Sequence, residues 1–212
     1  MEAYRTAAGE GMEELTIKRS RFIGRCYPVG EEGAALEILQ NLRREYWDAT
    51  HNCFAYCIGP RGACARYSDD GEPGGTAGLP IMNVLKARAL TDILVVVTRY
   101  FGGVLLGAGG LTRAYSRAAA LAVERAGMVE VCPALRYELR LPYDRYGALE
   151  ALLRASSSIE ETEFGADVRV LTLVEAEAAP AFLKAVVEKS DGRCTPLPAG
   201  EGWLRRPLPA DR

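Results

Sequence analysis

Three carboxylates fall within four residues at Asp69, Asp70 and Glu72. Side chains grouped in this way can hold Mg²⁺ or share general acid and base work. The same residues also spell a turn, because Asp-Gly and Glu-Pro favour tight reversals and aspartate caps nearby amides. Glycines crowd the same region: nine of the 22 lie within residues 71–110, at Gly71, Gly74, Gly75, Gly78, Gly102, Gly103, Gly107, Gly109 and Gly110. They fall in two segments, Tyr67–Pro80, which also holds Thr76, and Thr98–Tyr115, each joining a strand to a helix start. Glycine permits positive φ and close backbone approach, and a helix start offers free N–H groups with partial positive charge. An anion such as a phosphate suits such a place, and so does a partner that hugs the main chain. Tight turns and close helix packing would use the same glycines. Arg113 and Arg117, four apart, share one helical face opposite Leu111, Ala114, Ala118 and Leu121. Core packing accounts for the apolar set, but not for two arginines above a glycine-built helix start.

Other chemistries are poorly supplied. There is no Gly-Lys-Ser/Thr for a phosphate loop, and Gly107-x-Gly109 lacks the third glycine of a dinucleotide fingerprint. His51 is the sole histidine, so every Ser/His/Asp or Cys/His scheme would depend on it. With Cys53 it could form a metal fragment; a hydrogen-bonded histidine at a strand edge is the simpler reading. The six cysteines, Cys26, Cys53, Cys57, Cys64, Cys132 and Cys194, include no Cys-x-x-Cys pair. On one strand Cys53 and Cys57 would stand roughly 13 Å apart at about 3.3 Å per residue, too far to bridge. A hairpin turning on Gly59–Gly62 places Cys57 opposite Cys64, as reduced thiols. No catalytic residue, metal or cofactor is expected.

The elements that must position these residues follow from periodicity. Residues 14–29 alternate as one or two strands broken near Lys18–Ser20, and 31–47 carry helical spacing. Strands follow at 51–59 and 63–69, a helix opens at Gly78-Leu-Pro-Ile, and Ile93–Phe101 reads as a strand buried on both faces. Leu111–Arg125 is an alanine-rich helix stopped by Gly127. Beyond Gly127–Pro133, the expected junction, the pattern restarts: strand 135–141, helix 143–156, strands 159–164 and 168–176, helix 180–189, and a last strand within 193–205. That order, βαββαβ, is the split ferredoxin-like plan. The fold class is α+β in two domains, 1–130 and 134–212.

Composition bounds the setting. The 212 residues are 49% hydrophobic and 25% charged, an ordinary globular balance. No apolar run approaches the 18 residues of a membrane span, and the start lacks a basic segment followed by an apolar one, so a cytoplasmic location is expected. Net charge is −2 and the pI about 5.7, which excludes a generic polyanion binder. Locally the balance differs. Residues 18–25 carry Lys18, Arg19, Arg21 and Arg25 with no acid, and residues 86–125 carry six cations against Asp92 and Glu124. If these stretches share a face, a basic patch sits on a neutral body.

Asp69-Asp-Gly-Glu-Pro-Gly-Gly-Thr-Ala-Gly-x-Pro80 and Val96-Val-Thr-Arg-Tyr-Phe-Gly-Gly-x-x-Leu-Gly-x-Gly-Gly-Leu-x-Arg-Ala-Tyr115 together resemble the signature of the YigZ/IMPACT family. Ser20-Arg-Phe-Ile23 and His51-x-Cys-x-Ala-Tyr56 agree with it. The resemblance covers residues 10–127, and the remainder is similar in length and pattern to the second domain of bacterial members. It implies a first domain with the fold of the second domain of small-subunit ribosomal protein five, shared with GHMP kinases. It implies a ferredoxin-like second domain similar to one in the translocating elongation factor. It also implies a link to translation, since the eukaryotic members compete for a large protein partner of the amino-acid-starvation kinase.

Two functions follow as expectations. The first is a non-enzymatic, translation-linked regulatory protein that binds RNA, the ribosome or a translation-associated protein. Its face would comprise Arg21, Arg99, Tyr100, Arg113, Arg117 and the loops with Asp69, Asp70, Glu72, Gly74, Gly75, Thr76, Gly102, Gly103, Gly109 and Gly110. The alternative is an enzyme acting on a small phosphorylated substrate, with Mg²⁺ held by Asp69, Asp70 or Glu72. That alternative rests on fold analogy to GHMP kinases.

Overall fold

A computed structural model describes residues 2–208, so Met1 and the last four residues, the outer ends of the two expected domains, lie outside the described residues. Ten strands and five helices form, with a two-sheet α+β architecture among the described residues. In chain order they are β1 (Tyr4–Ala7), β2 (Gly11–Ile17), β3 (Ser20–Pro28), α1 (Glu32–Glu45), β4 (His51–Ile58), β5 (Cys64–Ser68), α2 (Gly78–Ala87) and β6 (Ile93–Tyr100). There follow α3 (Ala108–Ala126), β7 (Met128–Leu141), α4 (Tyr143–Ser156), β8 (Ser158–Phe164), β9 (Val168–Glu175), α5 (Ala179–Lys189) and β10 (Leu197–Pro207). The chain divides into two compact units, Tyr4–Glu130 and Val131–Arg206, the division falling inside β7.

In the first unit an antiparallel sheet runs β2-β3-β6-β4-β5. β6 is apolar from Ile93 to Val97 because it is covered twice. Ile93, Val95 and Val97 meet α2 and α3, while Leu94 and Val96 meet Ala35, Leu39 and Leu42 of α1. The alanines of α3 let the helix settle onto β3: a Cβ at Gly24 would lie 2.4 Å from the Ala118 carbonyl oxygen. In the other sheet, the strands β10-β7-β9-β8 stand in the spatial order 4-1-3-2 of a βαββαβ unit, with β1 also beside β7. Leu139, Leu141, Val168 and Val170 pack there with Leu149 and Leu153 of α4 and Phe182 and Val186 of α5.

Several local expectations are corrected. The chain crosses the 127–133 junction as a strand, since β7 begins at Met128. Four residues are too few to show alternation, and the sequence reading has no counterpart to β1. The β4–β5 hairpin is shifted by one residue from the expected pairing: Ile58 pairs with Cys64, and Cys57 with Ala65. Ala63 joins the turn, bonding back to the Pro60 carbonyl at 3.1 Å. A one-residue shift moves a side chain to the other face. Cys57 therefore faces α2, while Cys64 faces α1. All six cysteines are free.

Candidate functional site

Alternation along β6 turns Arg99 toward the α2/α3 side, where its predecessors are all apolar. A guanidinium there must be paired, because an uncompensated buried charge is costly. Arg99 Nη1 donates to Glu72 Oε1 at 2.6 Å and Nη2 to Ser20 Oγ at 3.2 Å. The guanidinium also lies over the rings of Phe22 at 5.3 Å and Phe101 at 5.5 Å. Glu72 Oε1 accepts a further bond from the Tyr115 hydroxyl at 2.8 Å, and His51 Nε2 stands 3.8 Å away. His51 is oriented by Nδ1, which donates to the Asp70 carbonyl at 2.7 Å. Arg99 is 4% exposed and Glu72 8%, so this pair forms a buried ionic tie between the 69–77 loop, β6 and α3. Burial pushes the Cys53 thiol up to about 12, and it donates to the Asp69 carbonyl at 3.0 Å.

Asp69 acts within its own loop. Its carboxylate accepts the amides of Gly75 at 2.9 Å, Ala77 at 3.0 Å and Gly78 at 2.8 Å, closing the segment onto the start of α2. Burial raises its pKa, but these three amide bonds outweigh burial and hold it below the usual carboxylate value. Asp70, at φ 43°, accepts the Asn52 amide at 2.7 Å and pairs with Arg43 at 3.3 Å. Thr76 is buried and donates to the Pro73 carbonyl at 2.6 Å, whereas Gly74 and Gly75 are exposed at the tip. The three carboxylates therefore point to three different sets of partners. Among the described residues no group of three or more His, Cys, Asp or Glu could hold a metal ion.

The second loop leaves the same end of the sheet. Phe101, Val104 and Leu105 are exposed on it, Leu105 at 83%. Gly102 lies against the β2–β3 turn, where a Cβ would meet the Arg19 carbonyl group at 2.0 Å, and its amide donates to Ser20 Oγ at 3.2 Å. Gly103 and the helix-capping Gly107 take φ of 80° and 71°. α3 begins at Ala108, three residues before the expected start, so Gly109 and Gly110 form its first turn. Arg113 folds back over that turn, with Nη1 3.6 Å from where a Gly109 Cβ would stand. Arg113 and Arg117 are exposed. Arg21 pairs with Glu14 at 2.7 Å and lies over the Tyr100 ring, whose hydroxyl donates to Asp48 at 2.9 Å.

The expected site residues thus separate into two layers. Arg99, expected on the phosphate-facing surface, is buried with Glu72 and Thr76, because the loop carboxylate follows it inward. Arg21, Tyr100, Arg113, Arg117 and the glycine tips remain outside. Sequence reasoning missed Ser20 and Tyr115 as parts of the buried tie, and Phe101 and Leu105 as exposed apolar groups. A lone arginine closing a β-branched run was the available signal, since such a position demands an acid nearby.

Residues 18–123 match the Impact N-terminal domain, and residues 139–193 match a domain of unknown function, DUF1949. The chain is 39% identical over 194 residues to IMPACT family member YvyE of Bacillus subtilis, covering 91% of this chain and 89% of that protein. The chain belongs to the IMPACT family. IMPACT family member YigZ of Escherichia coli is 33% identical over 195 residues, covering 91% and 96% of the two chains. A solved structure described only as that of a hypothetical protein matches with a TM-score of 0.60 at 32% identity, covering 93% and 97%. The matches to both domain types agree with the two-domain α+β architecture seen here.

Proposed function

We propose that this IMPACT family chain is a non-enzymatic, translation-linked regulator in the cytoplasm that binds RNA, free or on the ribosome, through the outer layer of the glycine-rich end. The carrying observation is the pair Arg113 and Arg117, exposed on one face of α3 beside its glycine first turn. Neither guanidinium makes a hydrogen bond or ion pair among the described residues. Long-range attraction to phosphates needs such uncommitted cations. The open charges of the other sheet are committed to one another. Arg136 pairs with Glu160 at 2.6 Å, Arg140 with Glu138 at 2.9 Å, and Arg169 with Glu138 at 2.9 Å and Glu163 at 3.0 Å.

The enzyme alternative loses support from the same geometry. Asp69 is bonded to main-chain amides and Glu72 to Arg99 and Tyr115. Co-sedimentation of the full chain with ribosomes and with free RNA across a salt series tests the proposal. Arg113→Glu/Arg117→Glu should weaken binding at low salt by at least about tenfold. Undiminished binding by that variant would place the function elsewhere, and no binding by the unaltered chain would leave a protein partner as the reading to test.

A further inference from the structure

We infer that the Lys18–Arg19 turn and the Phe101 ring form a site for a single RNA strand, the turn holding successive phosphates and the ring taking an unpaired base. This inference rests on the RNA reading above and narrows it.

The turn is the first observation. Ile17 pairs with Ser20, so Lys18 and Arg19 are the entire loop of the β2–β3 hairpin. Both have positive φ, 45° and 67°. A two-residue hairpin of this shape is built most easily from Asn-Gly, since any larger side chain is disfavoured in the left-handed region. Fold stability therefore argues against lysine and arginine here, and strain of this kind concentrates at ligand clamps. What the two residues supply is charge: both are exposed, and neither has a polar partner among the described residues.

The loop after β6 is the second. The main chain of Arg19 touches Gly102, so the turn and this loop make one continuous surface. Phe101, next to Gly102, is 45% exposed. Its ring is held from within by the buried Arg99 guanidinium at 5.5 Å, and its amide is fixed by Thr50 Oγ1 at 3.0 Å. A ring posed in this way beside cations offers a stacking surface for a base. Bases in a duplex are already stacked on each other and sit within the helix, so the ring selects an open strand.

The test measures binding of the full chain to a short single-stranded RNA and to a duplex of the same sequence over a salt series. The unaltered chain should favour the single strand. Lys18→Asn/Arg19→Gly should raise Tm by roughly 4 °C through relief of strain, yet flatten the salt dependence by about 1.4 in slope, two phosphate contacts at about 0.7 each. Phe101→Leu should weaken single-strand binding about tenfold and leave the duplex unaffected. If Lys18→Asn/Arg19→Gly lost stability together with affinity, the turn would be structural and the inference overturned. Equal binding of strand and duplex, with both variants neutral and only Arg113→Glu/Arg117→Glu weakened, would overturn it while sparing the RNA reading. No binding of either RNA by the unaltered chain would remove the RNA reading and this site with it.

Discussion

Glu72 serves two donors with a single carboxylate oxygen, and both would be stranded without it. Glu72→Gln leaves the Arg99 charge buried and uncompensated, and should cost about 3–5 kcal/mol in urea unfolding. Replacing both partners, Glu72→Leu with Arg99→Met, should recover a large part of that loss, because a matched apolar pair strands no charge. Asp69 adds a pH dependence. Its folded pKa lies below the ordinary 3.8, so its contribution to stability is present above that value and is lost as pH falls through the lower, folded one. Acid titration of the unfolding midpoint should show a step below about pH 4 that Asp69→Asn removes. The turn vocabulary of the sequence accounted for Asp69 and Asp70. It could not reveal Glu72, whose partners Arg99 and Tyr115 lie 27 and 43 residues along the chain.

Elements were legible wherever one period dominated. The bounds of α4 agree with its reading from sequence, and β6 showed its double burial in its composition. The misjudged points are those where neighbours decide. Ala63 entered the β4–β5 turn and moved Cys64 to the other face. α3 starts three residues before the expected Leu111, because glycine is a poor helix former and Gly109 and Gly110 hide its first turn from a reading by periodicity. The glycine loops themselves separate into two kinds of position. Gly102→Ala should destabilise by about 1–3 kcal/mol or more, since the added carbon would meet main chain that cannot yield. Gly74→Ala, with open space around it, should stay within about 0.5 kcal/mol. Thermal or chemical unfolding of the pair distinguishes close approach from general loop flexibility.

For the molecule as a whole, the near-zero net charge conceals two different surface economies. The open sheet face of the second unit spends its arginines on glutamates, while the glycine-rich end of the first keeps several cations uncommitted. Arg140→Glu on the paired face should therefore change RNA affinity by less than about twofold, a measurement to run beside the Arg113 and Arg117 reversal. The family and its two-domain plan were legible because long motif segments survive intact. The layering of the site was not, since only packing decides which arginine goes in. The distribution of the thiols has a practical side. Five of the six cysteines are buried, and burial pushes Cys26 and Cys53 up to about 12, leaving Cys64 on β5 as the one that is only partly buried. Toward a maleimide dye the native chain should behave as though it had one sulfhydryl, with labelling near one equivalent by mass spectrometry and near six after unfolding. A fluorescent reporter can be attached at one known position without removing any of the others.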